Sequence, residues 1–237
     1  MNLLIDSGNT YTKAALCDER KIVELIQIKN IEEFKSVNEK YSPANVIISS
    51  VNKVASDILA LFPKSKTFLL DANLPVPIKN LYKTPTTLGM DRLADVIGAT
   101  TLFPGKPCLC IDAGTCITYD FIDEEGQYLG GSIAPGLEMR FKALHTFTAK
   151  LPLVKKQENE LLIGNTTESA ILSGVQVGVV KEMEGIIQDY KTKYQGLKII
   201  ITGGDSSFFE SRIKDTIFVV PELLFLGLKR IVEYNVP

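Results

Sequence analysis

Residues 3–16 read LLIDSGNTYTKAAL, and the architecture of the chain can be worked out from this segment outward. An apolar run leads into Asp6, a short polar turn follows, and an alternating segment completes a pattern typical of two β-strands joined by a tight turn. Gly8 permits a positive φ, so the turn can present successive backbone N–H groups to an anion. Thr10 adds a hydroxyl, Lys13 adds a positive charge, and Asp6 can hold the cation that accompanies a phosphate. The segment predicts a hairpin that binds nucleotide phosphates.

An ordinary turn between surface strands would have a similar sequence, but this pattern recurs. Residues 109–122 read LCIDAGTCITYDFI, again an apolar strand followed by Asp112, a small residue, Gly114, Thr115 and a second strand. Two such Asp-x-Gly hairpins, one near the start of each half, predict a duplicated domain with a phosphate site between the copies.

Composition sets the limits of the interpretation. The 237 residues suffice for two modest domains, and 45% hydrophobic with 23% charged residues is ordinary for a globular protein. The net charge of -2 gives no electrostatic support for a nucleic-acid or anionic-membrane partner. No apolar run approaches the roughly 20 residues that cross a bilayer, and residues 1–16 show no export signal. We expect a cytoplasmic protein with domains at 1–105 and 106–237, separated by the Pro- and Gly-rich residues 103–107.

The residue types that commonly bind metals are few. The cysteines are Cys17, Cys108, Cys110 and Cys116. The spacing of Cys108 and Cys110 is that of a metal pair, but alternate residues of a strand share a face, and no second Cys or His pair completes a ligand set. We interpret all four as small buried apolar residues of a reduced protein. His145 is the only histidine, so we expect it to have a packing or surface role.

The first half has the order β-β-β-α-β-α-β, which predicts an α/β fold. After the first hairpin, the pattern predicts a strand at 21–28, a helix at 31–41, a strand at 45–51, a helix at 56–62 and a strand at 67–70. Residues 71–87 have no period and contain three prolines, so we interpret them as a functional loop. A helix follows with Asp91 in its first turn, where a carboxylate is a routine partner of the helix dipole.

The second half repeats the strand-rich opening. It predicts strands at 108–111, 116–122, 128–133 and 197–202, and helices at 137–148 and 221–234. Asn165 is expected to cap a further long helix, with Glu168 completing a capping box. Gly174 and Gly178 give that helix a small-residue face, which allows either tight domain packing or a dimer contact. Residues 203–205, Gly-Gly-Asp, form a turn against which a nucleoside can lie.

Three common nucleotide-binding signatures are missing from the sequence: GxxxxGK[ST], GxGxxG after a strand, and the protein-kinase set. The two Asp-x-Gly hairpins and the late glycine turn instead resemble the actin, sugar-kinase and chaperone-ATPase superfamily. That resemblance implies an α/β fold of two tandem RNase H-like (actin-like ATPase) domains with a nucleotide cleft between them.

Within this superfamily the chain resembles the type III pantothenate kinases over nearly its whole length. The similarity rests on an ordered set of motifs: DSGNTYTK at 6–13, YKTPTTLGMDR at 82–92, IDAGT at 111–115, GGSIAPG at 130–136, ALHTFTAKLP at 143–152 and GNTTESA at 164–170. Each motif alone is moderately specific, whereas the ordered set is highly specific.

The resemblance implies ATP-dependent phosphorylation of pantothenate to 4'-phosphopantothenate, the first step of coenzyme A biosynthesis, by a homodimer with its active site at the interface. It assigns ATP to Asp6, Ser7, Gly8, Asn9, Thr10, Tyr11, Thr12, Lys13 and Thr115, and pantothenate to Tyr82, Gly89, Met90, Asp91, Arg92 and Thr167. It makes Asp91 the proton acceptor and Asp112 the ligand of a monovalent cation, K⁺ or NH₄⁺. Only the resemblance gives Asp91 a catalytic role.

These assignments agree with elementary chemistry. Phosphoryl transfer passes through a loose transition state, so positioning and charge neutralisation dominate, and an ionised carboxylate suffices as the base. Mg²⁺ is expected to bridge the phosphates, through water to Asp6. Arg92 is the candidate for the carboxylate of pantothenate, because a guanidinium binds it bidentately.

Two other functions stay open. A sugar or acetate kinase would share the scaffold and differ at residues 82–92, so a panel of acceptors discriminates it. A nucleotide-binding regulator without turnover would bind ATP and transfer nothing, although Asp6, Asp91 and Asp112 are all retained.

Overall fold

The structure is a computed structural model that describes residues 1–8, 12–50, 55–158 and 161–236. The chain divides into two compact units, of which unit 1 comprises Met1–Pro104, Gly126–Tyr128 and Glu222–Pro237, and unit 2 comprises Gly105–Glu125 and Leu129–Pro221. The division after Pro104 lies one residue before the predicted boundary. The C-terminal segment, however, belongs to unit 1, whereas the sequence had placed it in the second domain.

The first part of the chain alternates strands and helices. Its elements are β1 (Asn2–Ser7), β2 (Thr12–Cys17), β3 (Ile22–Ile28), α1 (Ile31–Tyr41), β4 (Asn45–Ser50), α2 (Ala55–Ala60), β5 (Lys66–Leu69), β6 (Lys79–Asn80), a 3₁₀ turn (Pro85–Thr87) and α3 (Met90–Leu102). The predicted strands and helices of this part are confirmed to within a few residues.

The second part of the chain also combines strands and helices. They are β7 (Cys108–Ala113), β8 (Cys116–Ile122), β9 (Gln127–Pro135), α4 (Leu137–Thr146), α5 (Thr167–Leu172), a π-helical segment (Ser173–Val177), α6 (Gly178–Lys193), β10 (Lys198–Thr202), α7 (Ser206–Glu210), β11 (Phe218–Val219) and α8 (Leu223–Asn235). No helix in the described ranges is long and apolar enough to span a membrane.

The sheet of unit 1 has the strand order β3-β2-β1-β4-β5. β1 and β2 form the predicted antiparallel hairpin, and β4 and β5 add in parallel. Leu3 and Ile5 belong to a core cluster with Phe34 of α1 and Ile58 of α2, whereas Leu4 is equally buried with its side chain on the opposite face. Because both faces of the sheet are covered, β1 is a continuous apolar run rather than an alternating one.

Unit 2 repeats this topology. Its strands follow the order β11-β10-β7-β8-β9, in which β7 and β8 form the second acidic hairpin and β10 and β11 add in parallel. Each unit therefore places its first strand centrally, its hairpin partner on one side and two parallel strands on the other. This repetition confirms the predicted duplicated α/β architecture.

Two glycines explain why α8 packs in unit 1. A Cβ atom on Gly98 of α3 would lie 2.3 Å from the carbonyl oxygen of Leu223, and one on Gly227 of α8 would lie 1.9 Å from that of Ala94. The backbones of α3 and α8 thus touch where each helix lacks a side chain. This contact joins elements more than a hundred residues apart, which a local sequence pattern does not indicate.

The long helix predicted after residue 165 differs from the observed one in two respects. Thr166, not Asn165, is the N-cap, and Ser169 rather than Glu168 completes the capping box. The helix is also interrupted by the π-helical segment, so α5 and α6 are separate. π-Helical turns often mark functional sites.

Candidate active site

The first acidic turn lies in unit 1, where β1 ends. Asp6 pairs with Lys13 across the hairpin and with Ser49 of β4 on its other side. The pKa of Asp6 is raised to about 6, first because burial disfavours the charged carboxylate and next because the Asp91 carboxylate is close, whereas Lys13 lowers it. The fold therefore brings together two carboxylates that the sequence keeps far apart.

The rest of this turn is only partly described. Ser7 is buried, and its Oγ lies 3.4 Å from Oγ1 of Thr12 across the hairpin. Gly8 is half-buried, and Lys13 is exposed. Residues 9–11, which are Asn9, Thr10 and Tyr11, lie outside the described residues, so their assignment to ATP stays a prediction.

The second carboxylate stands at the start of α3. Gly89 is the N-cap and Asp91 lies in the first turn, as predicted. Oδ1 of Asp91 accepts a hydrogen bond of 2.8 Å from the backbone N–H of Arg92, and the positive end of the helix dipole adds a favourable interaction. A Cβ atom on Gly89 would lie 2.5 Å from the same Oδ1. Glycine therefore leaves the room that this carboxylate orientation needs.

An aromatic stack adjoins Arg92. The Arg92 side chain is 6% exposed, and its guanidinium carbon lies 5.6 Å from the ring centroid of Tyr82. Tyr82 in turn stacks on Tyr128, with centroids 6.1 Å apart and ring planes 10° apart. The Tyr82 backbone N–H donates to Oδ1 of Asn80 at 2.9 Å. Unit 1 thus assembles Asp6 with the residues predicted to contact pantothenate, apart from Thr167.

The second acidic turn lies in unit 2. Asp112 pairs with Thr118 of β8 and with Thr202 of β10. Gly203 follows β10 with a φ of 90°, and a Cβ atom there would lie 2.2 Å from Oδ1 of Asp112 and 2.6 Å from the carbonyl oxygen of Ala113. The Gly-Gly-Asp turn therefore packs directly on the acidic turn. Asp112 and Gly203 are far apart in the sequence, so no local pattern indicates this contact.

The residue before α4, Gly136, packs against the same acidic turn of unit 2. The Gly136 N–H donates to the carbonyl oxygen of Thr115 at 3.1 Å. A Cβ atom on Gly136 would lie 2.3 Å from the carbonyl oxygen of Gly114 and 2.5 Å from that of Thr115. The glycine that ends the GGSIAPG motif is needed for this close approach, and Thr115 itself stays exposed.

Lys156 and Gln157 of unit 2 connect the Gly-Gly-Asp turn with the π-helical segment and α5. The fully buried Gln176, in the π-helical segment, accepts from the Gln157 N–H at 2.8 Å and donates to the Gln157 carbonyl oxygen at 2.9 Å. Lys156 forms an ion pair with Asp205 of the Gly-Gly-Asp turn. The Gln157 side chain donates to Glu168 of α5 at 3.2 Å. No sequence signal identifies Gln176, because nothing in a helical pattern distinguishes a buried glutamine from a surface one.

The remaining predicted residues lie in unit 2 or in the cores. Thr167 is exposed at the first position of α5, next to the N-cap, and its contact with substrate stays a prediction. His145 is an exposed residue whose Nδ1 lies 2.8 Å from the carbonyl oxygen of Leu151. Of the four free cysteines, Cys116 is only half-buried, so the expectation of full burial was wrong for it.

The small-residue face predicted on the long helix is open. A Cβ atom on Gly174 or on Gly178 would meet no described atom within 4 Å. The described part of unit 2 therefore does not use these glycines for tight packing. The other interpretation left open by the sequence, a dimer contact, stays a prediction.

Metal-binding groups are sparse in the described part of the chain. No group of three or more His, Cys, Asp or Glu residues is positioned there to hold an ion. Mg²⁺ commonly uses only one or two protein carboxylates together with substrate phosphates and water. The Asp6 carboxylate fits that donor set, because burial and the Asp91 carboxylate raise its pKa and a bound cation would offset both effects.

Comparison with known proteins gives a consistent result. The sequence profile of the type III pantothenate kinase family matches residues 2–189. A curated type III pantothenate kinase of Bacteroides fragilis is 45% identical over 239 residues, covering 99% of this chain and 98% of the relative.

Solved structures extend the similarity to the fold. A Campylobacter jejuni protein described as a Baf family transcriptional activator has a TM-score of 0.65 at 23% identity, with 98% of each chain covered. A glucokinase from an Antarctic psychrotroph has a TM-score of 0.55 at 9% identity, again with 98% of each chain covered. At these identities the two structures support the shared fold alone.

Proposed function

Because the chain belongs to the type III pantothenate kinase family, it is an ATP-dependent phosphotransferase, and we propose that Asp91 accepts the proton of the pantothenate hydroxyl during transfer. The observation that carries this proposal is the geometry at the start of α3, where the Arg92 N–H orients the Asp91 carboxylate and the Arg92 guanidinium carbon lies 5.6 Å from the ring centroid of Tyr82. After burial, the Asp91 carboxylate is also the next cause that raises the pKa of Asp6. In this proposal the Asp6 carboxylate acts on the phosphates of ATP, and the Asp91 carboxylate acts on the hydroxyl of the acceptor.

Asp91 has the features of a positioned base. Its Oδ1 is held by the Arg92 N–H, which fixes the orientation of the carboxylate at the helix start. In the transfer, the acceptor hydroxyl gives its proton to Asp91, its oxygen bonds to the γ-phosphorus, and the bond from phosphorus to the ADP oxygen breaks in line. The proton leaves late in such a loose transition state, so a weakly basic carboxylate is adequate.

Residues 6–13 of unit 1 are proposed to bind ATP, and so is Thr115 of unit 2. In the ground state Asp6 would hold Mg²⁺ through water, and the bound ion would neutralise phosphate charge. Asp112 would hold a monovalent cation, K⁺ or NH₄⁺. Its Oδ1 lies against Gly203, which has no side chain to occupy the space beside it. The Asp6 pKa of about 6 means that this carboxylate is mostly ionised at neutral pH and available to a cation.

Arg92 is proposed to bind the pantothenate carboxylate. Its guanidinium is buried and held against an aromatic ring, which reduces the freedom that binding would otherwise remove. Thr167 is proposed as a further substrate contact, and the protein is proposed to work in the cytoplasm, where ATP is supplied.

A homodimer with the active site at its interface completes the proposal. Phe147, Leu162 and Ile163 of unit 2 are at least 80% exposed, and the Gly174 and Gly178 face is open. Contiguous exposed apolar patches commonly mark protein interfaces, and Leu162 and Ile163 are neighbours in the chain. Light scattering on the purified protein tests this part, and a monomer at assay concentration would contradict it.

The decisive experiment is an ADP-release assay with pantothenate, sugars and acetate as acceptors. We expect turnover with pantothenate, and a loss in kcat of about 10²-fold or more for Asp91→Asn, with ATP binding retained. Asp57→Asn is a matched control, because Asp57 also lies in the first turn of a helix, α2, outside the proposed site. Near-parental turnover of Asp91→Asn would remove Asp91 from the mechanism, and preference for another acceptor would identify a different kinase.

A further inference from the structure

A short segment from the second half of the sequence is built into unit 1. Residues 126–128 belong to unit 1, although the chain on both sides of them belongs to unit 2. They bind residues 79–81, which precede Tyr82, through backbone hydrogen bonds. The Lys79 N–H donates to the Gly126 carbonyl oxygen at 2.9 Å, and the Leu81 N–H donates to the Tyr128 carbonyl oxygen at 3.0 Å. The segment therefore forms a backing strand for the residues that lead into Tyr82.

Tyr128 is the side chain that this segment contributes. It is fully buried, and its ring lies parallel to that of Tyr82. The Tyr82 ring also contacts the Arg92 guanidinium, so side-chain contacts connect Tyr128 to Tyr82 and Tyr82 to Arg92. Aromatic pairs and cation–π contacts restrict the side chains that take part in them.

We propose that Tyr128 is a positioning residue for acceptor recognition, which sets the ring of Tyr82 and, through it, the guanidinium of Arg92. This inference rests on the proposed function, in which Tyr82 and Arg92 contact pantothenate. Tyr128 is buried beneath Tyr82 and acts through it, so it is not a catalytic residue. The function of the stack is preorganisation: the acceptor meets a ring and a guanidinium already held in place.

The consequence is a selective effect on the acceptor. Replacement of Tyr128 by a flexible side chain of similar bulk removes the planar support and leaves Asp6, Asp91 and the ATP-binding turn unchanged in sequence. Tyr128→Met is therefore expected to raise KM for pantothenate about tenfold, with KM for ATP changed less than about twofold. Tyr128→Phe keeps the ring and is expected to restore a KM near that of the parent.

A matched control is available in the neighbouring strand, β8. Tyr119 is also a fully buried tyrosine, but it belongs to the core cluster of unit 2. Tyr119→Met is expected to lower thermal stability without raising KM for pantothenate. If both methionine variants raise KM for pantothenate equally, the effect is general destabilisation and the proposal is overturned.

A double-mutant cycle separates positioning from a merely structural role. If Tyr128 acts through Tyr82, Tyr128→Met adds little to the KM of Tyr82→Leu, so the two effects are strongly non-additive. Fully additive effects would overturn the proposal, as would an unchanged KM for pantothenate in a folded Tyr128→Met. A large rise in KM for Tyr128→Phe would also overturn it, because the ring would then not be the part that matters.

Two further measurements complete the design. If Tyr128→Met does not fold, Asn80→Ala tests the same support from the loop side, because it removes the hydrogen bond to the Tyr82 N–H. An unchanged KM for pantothenate in Asn80→Ala would then overturn the idea that the placement of Tyr82 governs acceptor binding. Failure of the proposed function is recognised separately, by a parent that does not phosphorylate pantothenate or by an active Asp91→Asn.

Discussion

Asp6→Asn is expected to stabilise the ligand-free protein while it impairs catalysis. The folded state raises the pKa of Asp6 from 3.8 to about 6, through burial and the neighbouring Asp91 carboxylate. Protonated Asp6 is thus favoured by the fold. The contribution of the Asp6 carboxyl group to the free energy of unfolding is therefore fully present below about pH 4 and is lost as the pH rises through about 6. Asparagine has a similar shape but no charge to bury, so it escapes this penalty at neutral pH.

The magnitude follows from the shift in pKa. A rise of about 2 pKa units corresponds to about 3 kcal/mol above pH 7, and to about half of that at pH 5. For a chain of this size, about 3 kcal/mol corresponds to a gain in Tm of about 6 to 12 °C. We therefore expect Asp6→Asn to melt well above the parent at pH 8 in EDTA, and by a clearly smaller margin at pH 5.

Thermal unfolding followed by circular dichroism at the two pH values provides the test. Asp18→Asn is the contrasting control, because backbone N–H groups of Lys21 and Arg20 lower the pKa of Asp18, so its replacement offers no gain at high pH. Mg²⁺ with ATP is expected to stabilise the parent more than the variant. A Tm for Asp6→Asn at or below that of the parent at pH 8, or a gain equal at both pH values, would refute the reasoning.

Three other expectations concern unit 2 and the helix pair. Asp112→Ala is expected to abolish stimulation of turnover by K⁺; full activity of the parent in Na⁺-only buffer would contradict a monovalent site. Gly227→Ala places a Cβ atom 1.9 Å from an α3 carbonyl oxygen and is expected to destabilise by about 1–3 kcal/mol in urea titrations. Gly185→Ala in α6, where a Cβ meets no described atom within 4 Å, is its control and is expected to be neutral or stabilising. Gln176→Leu leaves the backbone of Gln157 unpaired, and faster hydrogen exchange at residues 155–158 than in the parent is the expected result.

The sequence predicted the elements that local patterns specify. The helix at 31–41 has the predicted bounds, because Asn30 caps it and its buried positions, Phe34 and Val37, recur at helical spacing. Both acidic hairpins form, because the first strand of each contains an apolar run and each turn sequence contains glycine. Asp91 lies in the first turn of α3 as expected, but its approach to Asp6 required the fold.

Several features depended on contacts that no local pattern contains. The N-cap shifted from Asn165 to Thr166, because both residue types cap well and only the surrounding structure selects between them. The interruption of the long helix by a π-helical segment accompanies the burial of Gln176, whose amide pairs with a distant backbone.

The amino-acid sequence by itself determined the repeated strand–turn–strand blocks, the α/β class and the family, since these follow from patterns within a few residues or from ordered motifs. Only the tertiary structure decided that α8 packs on α3, that Tyr128 supports Tyr82, and that Gly203 lies against Asp112. Each of these contacts joins residues far apart in the chain. The residues around a glycine or tyrosine in the sequence do not indicate which distant backbone or ring it contacts, so only the folded chain identifies its partner.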